Sequence, residues 1–155
     1  MQRSVRMSAD ESWAVLAAAH TGILTTVRRD GMPIALPVWF VVFDRRVFVS
    51  GPARSKKFTR VRRDPRVSFL VESGTRWAEL RAVHLTGRAA FVDDPTLLET
   101  VAVALHEKYG VFRTPREAMP AETRAHYEVR TTTIEIVADE RILNWDNARL
   151  GLEGE

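Results

Sequence analysis

The sequence of 155 residues predicts a mainly β (α+β) fold, a small antiparallel barrel with peripheral helices. Three observations support this. About seven apolar runs have strand length, the runs in the first half follow one another through short turns, and helical patterns are inserted between pairs of strands. A doubly wound parallel sheet would alternate strands and helices throughout, so that class is excluded. No repeat or linker divides the sequence, and we expect one domain over 1–155, with an ordered core at 8–146 and loose ends.

Local patterns predict the individual elements. The predicted strands lie at 23–28, 34–43, 47–49, 67–72, 78–92, 129–137 and 142–145. Helices are predicted at 8–20, in the basic segment after the third strand, at 93–109 and at 120–127. Ser8 and Glu11 have the spacing of a capping box, and Asp30-Gly31 suits a tight hairpin turn. Pro37 has no N–H group, so its strand must lie at an edge or contain a bulge, and Gly87 predicts a bend or bulge in the long strand.

The composition excludes several classes of site. The chain has no cysteine, which rules out disulfides, zinc–thiolate sites and thiol nucleophiles. Its four histidines lack the spacing of metal ligands, so no metal site is expected. No apolar run approaches the roughly 18 residues of a membrane helix, and the start of the sequence lacks the apolar region of a signal peptide. We therefore expect a cytoplasmic protein with no membrane partner.

The basic segment at 54–66 is the most informative part of the sequence. Ser50-Gly51-Pro52 ends a short strand, and seven cations follow: Arg54, Lys56, Lys57, Arg60, Arg62, Arg63 and Arg66. The start of a helix favours an anion at its backbone N–H groups, and Lys and Arg add charge-assisted hydrogen bonds. Lys56, Arg60 and Arg63 share one helical face, where like charges repel unless an anion lies among them. The segment suits a phosphate site, and a solvated basic face fits the same pattern.

The net charge distinguishes a local site from a broad basic surface. The formal charge is +3, and it comes largely from the basic segment. We therefore expect a local anion site and no nucleic-acid partner. The competing hypothesis is RNA or DNA binding through this one helix. It predicts that the affinity for nucleic acid falls steeply as the salt concentration rises.

Tryptophans indicate what else such a site would hold. Trp39 follows the predicted bulge at Pro37, Trp77 precedes the long strand, and Trp145 lies on the last strand. Core packing is the ordinary role of each. Aromatic walls beside a phosphate site would suit a flat heterocycle with a phosphate tail, and backbone groups freed near Pro37 are expected to bond the ring edge. Motifs of hydrolases, zinc proteases, dinucleotide-binding folds and P-loops are absent from the sequence.

These residues also carry a family resemblance. The stretch from GILTTVRRDGMPIALPVWF to VRRDPRVSFLV, continued by RWAELRAVHLTGRAAFVDD and ILNWD, resembles the split β-barrel superfamily of pyridoxamine 5′-phosphate oxidase-like proteins. More narrowly, it is similar to the flavin/deazaflavin oxidoreductase branch. The resemblance implies a split antiparallel β-barrel of the FMN-binding type. Its most specific part is the segment from Lys57 to Val71.

The resemblance also implies the site residues. Lys57 would anchor the phosphate, helped by Ser50, Arg54, Ser55 and Lys56. The cofactor ring would lie along Pro37, Val38 and Trp39. The family is homodimeric with two sites at the interface, so Trp77 and Trp145 are expected to reach across from the partner. Arg60 stands where the family usually has Asn, and the extra cation should still favour phosphate.

The function implied is an oxidoreductase that moves a hydride between bound coenzyme F420, or FMN, and a small conjugated organic substrate. No residue is assigned a catalytic role, because the hydride chemistry belongs to the cofactor. F420 is preferred because its acidic tail would suit the surplus of arginine. The alternative is a cofactor carrier or sensor without turnover. Pyridoxamine phosphate oxidase activity is not expected, since the sequence ends in LGLEGE without the Arg/His substrate motif.

Overall fold

A computed structural model describes residues 3–152 of the chain. The strands are β1 (Gly22–Val27), β2 (Pro33–Val38), β3 (Val41–Phe43), β4 (Arg46–Pro52), β5 (Arg66–Ser73), β6 (Arg81–Phe91), β7 (Thr131–Ala138) and β8 (Leu143–Asp146). The helices are α1 (Ala9–Ala18), α2 (Lys56–Arg63), α3 (Pro95–Tyr109) and α4 (Ala121–Tyr127). Short 3-10 turns lie at Trp77–Glu79, Gly110–Phe112, Arg116–Ala118 and Asn147–Leu150. The predicted antiparallel barrel with peripheral helices is confirmed. None of the helices in this part of the chain has the length and apolar character needed to cross a membrane.

Sheet topology explains how the barrel closes. The strand order is β2-β1-β5-β6-β7-β4-β3, and every pairing is antiparallel. The strands at the two ends of this order, β2 and β3, are separated in the chain only by Trp39 and Phe40. The sheet must therefore curl until its ends meet at this two-residue connection, which we call the crossing.

The crossing corrects one prediction and confirms another. The single strand predicted at 34–43 is wrong, because the chain leaves one end of the sheet at Val38 and enters the other at Val41. Pro37 predicted an edge position or a bulge, and the edge position is observed, since among the strands of 3–152 β2 pairs with β1 alone. Proline is tolerated there because an edge strand need not use every N–H group.

Strand β6 exchanges partners along one edge. One edge pairs with β5 from Arg81 to Arg88, whereas the other pairs with β8 over Arg81–His84 and with β7 over Gly87–Phe91. Gly87, which predicted a bend or bulge, lies at the start of the β7 pairing. A Cβ atom at Gly87 would lie only 2.2 Å from the carbonyl oxygen of Val137. The exchange therefore brings two backbones closer than any side chain allows.

Two apolar clusters hold the elements together. The first fills the barrel with side chains from the strands and is closed by Leu16 of α1 and by Phe58 and Val61 of α2. The second lies outside the barrel, where α3 packs on β3 and β4: Val41, Phe48, Val101, Leu105 and Tyr109. Burial of each large apolar side chain is worth about 1.5–3 kcal/mol, so both clusters contribute to stability.

Part of the sheet's outer face, across β1, β5, β6 and β8, lies outside both clusters. Direct register pairs form a row across β1, β5, β6 and β8: Ile23, Leu70, His84 and Leu143. The neighbouring residues Leu24, Phe69 and Leu85 point into the barrel, so alternation places the row on the outer face. Among residues 3–152 this row belongs to neither buried cluster. We call it the outer row.

Residues at 3–7 and 147–150, within the ends that were expected to be loose, are attached to the fold, and the rest of that expectation falls partly on 1–2 and 153–155, outside the described residues. The N–H of Met7 donates to the Oδ1 of Asn144 over 2.7 Å. The N–H of Asp146 donates to the carbonyl of Val5 over 2.8 Å. The predicted capping box of Ser8 and Glu11 is confirmed and begins α1 beside these contacts. These parts of the ends are ordered by hydrogen bonds to residues far away in the sequence, which local composition does not reveal.

Candidate functional site

Lys57 lies where β4 gives way to α2. Pro52 ends the strand, and Ser55 is the N-cap of α2, although its side chain makes no capping hydrogen bond. The next helical residue after Lys57, Phe58, is fully buried and fixes this end of the helix in the barrel. The Nζ of Lys57 stands 5.0 Å from the centre of the Phe58 ring. It is also 3.5 Å from the position that a Cβ atom on Gly51 would take. The ammonium is thus held between the end of β4 and the first turn of α2.

The environment of Lys57 suits an anion. Its side chain is about half-buried, and no acidic residue within 3–152 forms an ion pair with it. Burial is the main cause that lowers the pKa of Lys57, and the positive charge of Arg60 lowers it further. A bound phosphate would oppose this lowering of the pKa, because a nearby anion stabilises the charged ammonium. The first N–H groups of α2 lack intrahelical acceptors and add donors beside it.

The other cations of the basic segment divide into two groups. Arg60 donates to the Oγ1 of Thr26 over 3.3 Å, and Arg63 donates to the carbonyl of Val27. Arg62 lies 4.7 Å from the centre of the Phe91 ring, and Arg66 pairs with Asp64 over 2.7 Å. By contrast, Arg54 and Lys56 are exposed beside Lys57. The first part of the segment, at 54–57, thus has the character of an anion site. The cations at 60–66 instead hold α2 and its end in contact with neighbouring residues.

Ser50 is placed differently from its expected role beside the phosphate. Its hydroxyl is 2.6 Å from the Oγ1 of Thr133, its partner in the β4–β7 register. Gly51 directs its missing side chain toward Lys57, so alternation points Ser50 to the opposite face of β4. The structure thus separates Ser50 from Lys57, whereas Arg54, Ser55 and Lys56 are neighbours of Lys57 in the chain.

The predicted ring contacts lie at the end of β2 and in the crossing. Pro37 is exposed and Val38 is buried. Trp39 is 36% exposed, and its indole stacks on the ring of Tyr109 with a centroid distance of 4.5 Å and an interplanar angle of 5°. The N–H of Phe40 donates to the Tyr109 hydroxyl over 2.9 Å. This backbone group near Pro37, expected to bond a ring edge, therefore already has a partner.

Tyr109 is the residue that sequence reasoning missed. It lies at the end of α3, was given no role in the predicted site, and is fully buried. The missed signal is its hydroxyl, because a buried tyrosine needs a polar partner. Burial raises the pKa of Tyr109, and the hydrogen bond with Phe40 opposes that shift.

Trp77 lies in the turn before β6, and Trp145 lies on β8, which pairs with the start of β6. Trp77 is 61% exposed, and its carbonyl accepts from the Nδ2 of Asn147 over 2.7 Å, which fixes the turn that carries it. Trp145 is half-buried on β8, opposite Ala82. Alternation along β8 places Trp145 on the same face as Leu143 of the outer row. Within residues 3–152, neither tryptophan shares a hydrogen bond with the residues around Lys57.

Solved structures of known proteins have the same fold. A conserved hypothetical protein of Mycobacterium tuberculosis is 32% identical, with a TM-score of 0.81 over 100% of this chain and 94% of that one. A protein described as an F420 reductase is 21% identical, with a TM-score of 0.60 over 84% of this chain and 94% of that one. The heme storage protein HutZ of Vibrio cholerae is 14% identical, with a TM-score of 0.65 over 86% of this chain and 89% of that one.

The likeness to the last two structures shows the fold alone, because both are less than 25% identical to this chain. Family membership is shown by the sequence. The sequence pattern of the family described as pyridoxamine 5′-phosphate oxidase matches residues 9–138, which include β1 to β7 and both the Lys57 site and the crossing. The chain belongs to the pyridoxamine 5′-phosphate oxidase family of split β-barrel proteins.

Proposed function

We propose that the protein is an oxidoreductase that binds coenzyme F420, or alternatively FMN, and transfers a hydride between it and a small conjugated organic substrate. The observation that carries this proposal is the half-buried ammonium of Lys57, which has no acidic partner within 3–152 and stands at the start of α2. A buried, unpaired cation is costly unless an anion accompanies it. Both coenzymes carry such an anion as a phosphate.

The chain's own residues bind and orient the cofactor. Lys57 holds the phosphate, while Arg54, Lys56 and the N–H groups that follow Ser55 add positive potential around it. Pro37 and Trp39 present apolar surface for the ring, and Val38 anchors that surface in the core. The bound cofactor supplies the hydride chemistry, so no acid or base of the chain is assigned to it.

F420 is preferred over FMN because of the exposed cations. Arg54 and Lys56 are exposed next to Lys57, where they are free to meet further negative charge beyond a single phosphate. The acidic tail of F420 supplies such charge, and FMN has no equivalent. The resemblance in fold to an F420 reductase agrees with this preference.

A homodimer is part of the proposal. The outer row of Ile23, Leu70, His84 and Leu143 is apolar for most of its length and lies outside both buried clusters. A contiguous apolar sheet face of this kind is typical of a surface that another protein covers. A second copy on this face would bring its Trp77 and Trp145 toward the cofactor site, as the family resemblance implies.

A carrier or sensor without turnover is the second candidate. It is supported by the fold that the chain shares with a heme storage protein. It is also consistent with the Lys57 site, which explains binding and leaves turnover open.

Titration of the purified protein with F420 and with FMN, followed by fluorescence, tests the proposal. We expect saturable binding of F420 at lower concentrations than FMN. Indifference to both coenzymes at saturating concentration would overturn the proposal. The complex with reduced cofactor is then mixed with a test enone or quinone: oxidation of the cofactor supports an enzyme, and a stable reduced complex supports a carrier.

A further inference from the structure

Tyr109 and Trp39 form the tightest aromatic pair beside the candidate site. Tyr109 is the last residue of α3 and is fully buried. Its ring is parallel to the indole of Trp39, with 4.5 Å between the centroids. One face of the indole is thus covered, while 36% of the Trp39 surface remains exposed. The exposed remainder is the surface that a planar ligand would meet.

The hydroxyl of Tyr109 also holds the backbone of the crossing. It accepts a hydrogen bond from the N–H of Phe40 over 2.9 Å. The carbonyl oxygens of Phe40 and His20 lie 2.9 Å and 2.8 Å from it, and its single proton goes to one of them. Trp39 and Phe40 lie outside both flanking strands, so the sheet supplies no ladder bonds there. The hydroxyl therefore supplies, for the backbone of Phe40, a hydrogen bond of the kind that a neighbouring strand would otherwise make.

We propose that Tyr109 is a positioning residue, which fixes the orientation of Trp39 and the path of the crossing so that the indole forms a rigid wall for the cofactor ring. This inference rests on the proposed function. The helix that carries Tyr109 lies on the outside of the barrel and contributes nothing to the Lys57 site. Its effect on the cofactor therefore passes through Trp39 and Phe40.

A purely structural role for Tyr109 predicts a different result. Val101 lies on the same helix and in the same buried cluster, and no ring contact or hydrogen bond joins it to the crossing. Its truncation to alanine removes core packing alone, so Val101→Ala is a matched control for stability. A role limited to packing would make Tyr109 variants behave like Val101→Ala.

The first experiment uses the protein without cofactor. In a full-length variant with Trp13, Trp77 and Trp145 replaced by Phe, fluorescence reports Trp39 alone. We expect Tyr109→Phe and Tyr109→Leu to shift its emission and to increase its quenching by acrylamide, with the larger change for Leu. Val101→Ala should leave both signals unchanged. An unchanged Trp39 signal in Tyr109→Leu would overturn the inference, whatever the cofactor results show.

The second experiment measures cofactor affinity with all four tryptophans present. Tyr109→Phe removes the hydroxyl with both of its hydrogen bonds, the one accepted from Phe40 and the one donated to a carbonyl. It should weaken binding at least about fivefold, and Tyr109→Leu should weaken it more. In a Trp39→Ala background, Tyr109→Leu should have little further effect, because the wall is already gone. Fully additive losses would overturn the inference. A third outcome separates the two proposals: the wild type binds neither coenzyme, but substitution of Tyr109 still changes the fluorescence of Trp39. The proposed function then fails, and only the conclusion that Tyr109 fixes the orientation of Trp39 is supported.

Discussion

Lys108 donates a hydrogen bond to the carbonyl oxygen of Phe40 over 3.1 Å, and its Nζ stands 4.1 Å from the centre of the Phe40 ring. It therefore adds a second contact from α3 to the crossing, next to that of Tyr109. A further contact, 3.4 Å to the carbonyl of Ala17, links the same ammonium to the C-terminal end of α1. A cation is favourable there because it meets the negative end of the helix dipole.

The pH dependence of stability should report Lys108. Burial lowers the pKa of Lys108 from 10.5 to about 8. Between these values the unfolded chain binds more protons than the folded chain, so the free energy of unfolding rises with pH in this window. Partial exposure of the side chain reduces the size of the effect. We expect the unfolding free energy of the wild type, minus that of Lys108→Met, to rise from pH 8 to pH 10.5 in denaturant titrations.

Lys56→Met is the control for this measurement, because Lys56 is an exposed lysine on α2. Its difference from wild type should stay flat over the same range. A flat difference for Lys108→Met as well would show that Lys108 titrates normally.

Replacing Lys57 tests the anion site directly. Lys57→Ala should weaken cofactor binding by about 1.5–3 kcal/mol, the value of a hydrogen bond to a charged group. The measurement is a fluorescence titration with F420 and with FMN. Arg62→Ala is the matched control: it removes one positive charge from the same helix, but Arg62 lies over the ring of Phe91. Equal losses in both variants would indicate general charge attraction and remove Lys57 from the site.

Gly87→Ala should destabilise the fold by more than about 2 kcal/mol, as is typical of a substitution that forces two packed backbones apart. The added Cβ would lie 2.2 Å from the Val137 carbonyl oxygen, and backbone atoms of two paired strands cannot move aside cheaply. Thermal and denaturant unfolding measure the loss. Arg88→Ala, at the next and exposed position of β6, should change stability by less than about 0.5 kcal/mol. A stable Gly87→Ala variant would mean that β6 and β7 are not so closely apposed.

A charge in the outer row should separate the proposed dimer. Leu70 lies in the middle of the row, between its register partners Ile23 and His84. Leu70→Lys would place an unpaired charge in the interface, which is strongly unfavourable once buried. In analytical ultracentrifugation we expect a dimeric wild type and a monomeric variant. Val103→Lys, an exposed position on α3, should remain dimeric. A monomeric wild type would contradict the homodimer.

Local signals in the sequence predicted much of the fold. The edge position of β2 followed from the missing N–H of Pro37, and the first helix followed from the Ser8–Glu11 capping box. The change of strand at Trp39 and Phe40 was not predictable in this way. The apolar run continues through both residues without glycine, and no turn signal marks the change. The hydroxyl that bonds the backbone of this connection belongs to Tyr109, which is about 70 residues away in the chain.

The candidate site shows the same division. Charge density alone singled out the neighbourhood of Lys57, and the structure leaves its ammonium half-buried without an acidic partner within 3–152. The charge pattern by itself could not separate Lys57 from Arg60 and Arg63, and only the family resemblance named Lys57 as the anchor. The contacts of the two arginines with Thr26 and Val27 arise only in the folded chain. Likewise, the pairing of Ser50 with Thr133 depends on the β4–β7 register, which joins distant parts of the sequence.

The short connection between β2 and β3 has a consequence for folding kinetics. Because a two-residue link already joins the ends of the sheet, closing the barrel there requires no long loop to be ordered. The demanding step is instead the pairing of β4 with β7, whose strands are separated by about 80 residues. Contacts so remote in sequence are slow to form. We therefore expect the pairing of β7 with β4 to limit the rate of refolding, after the hairpins near the start of the chain have formed.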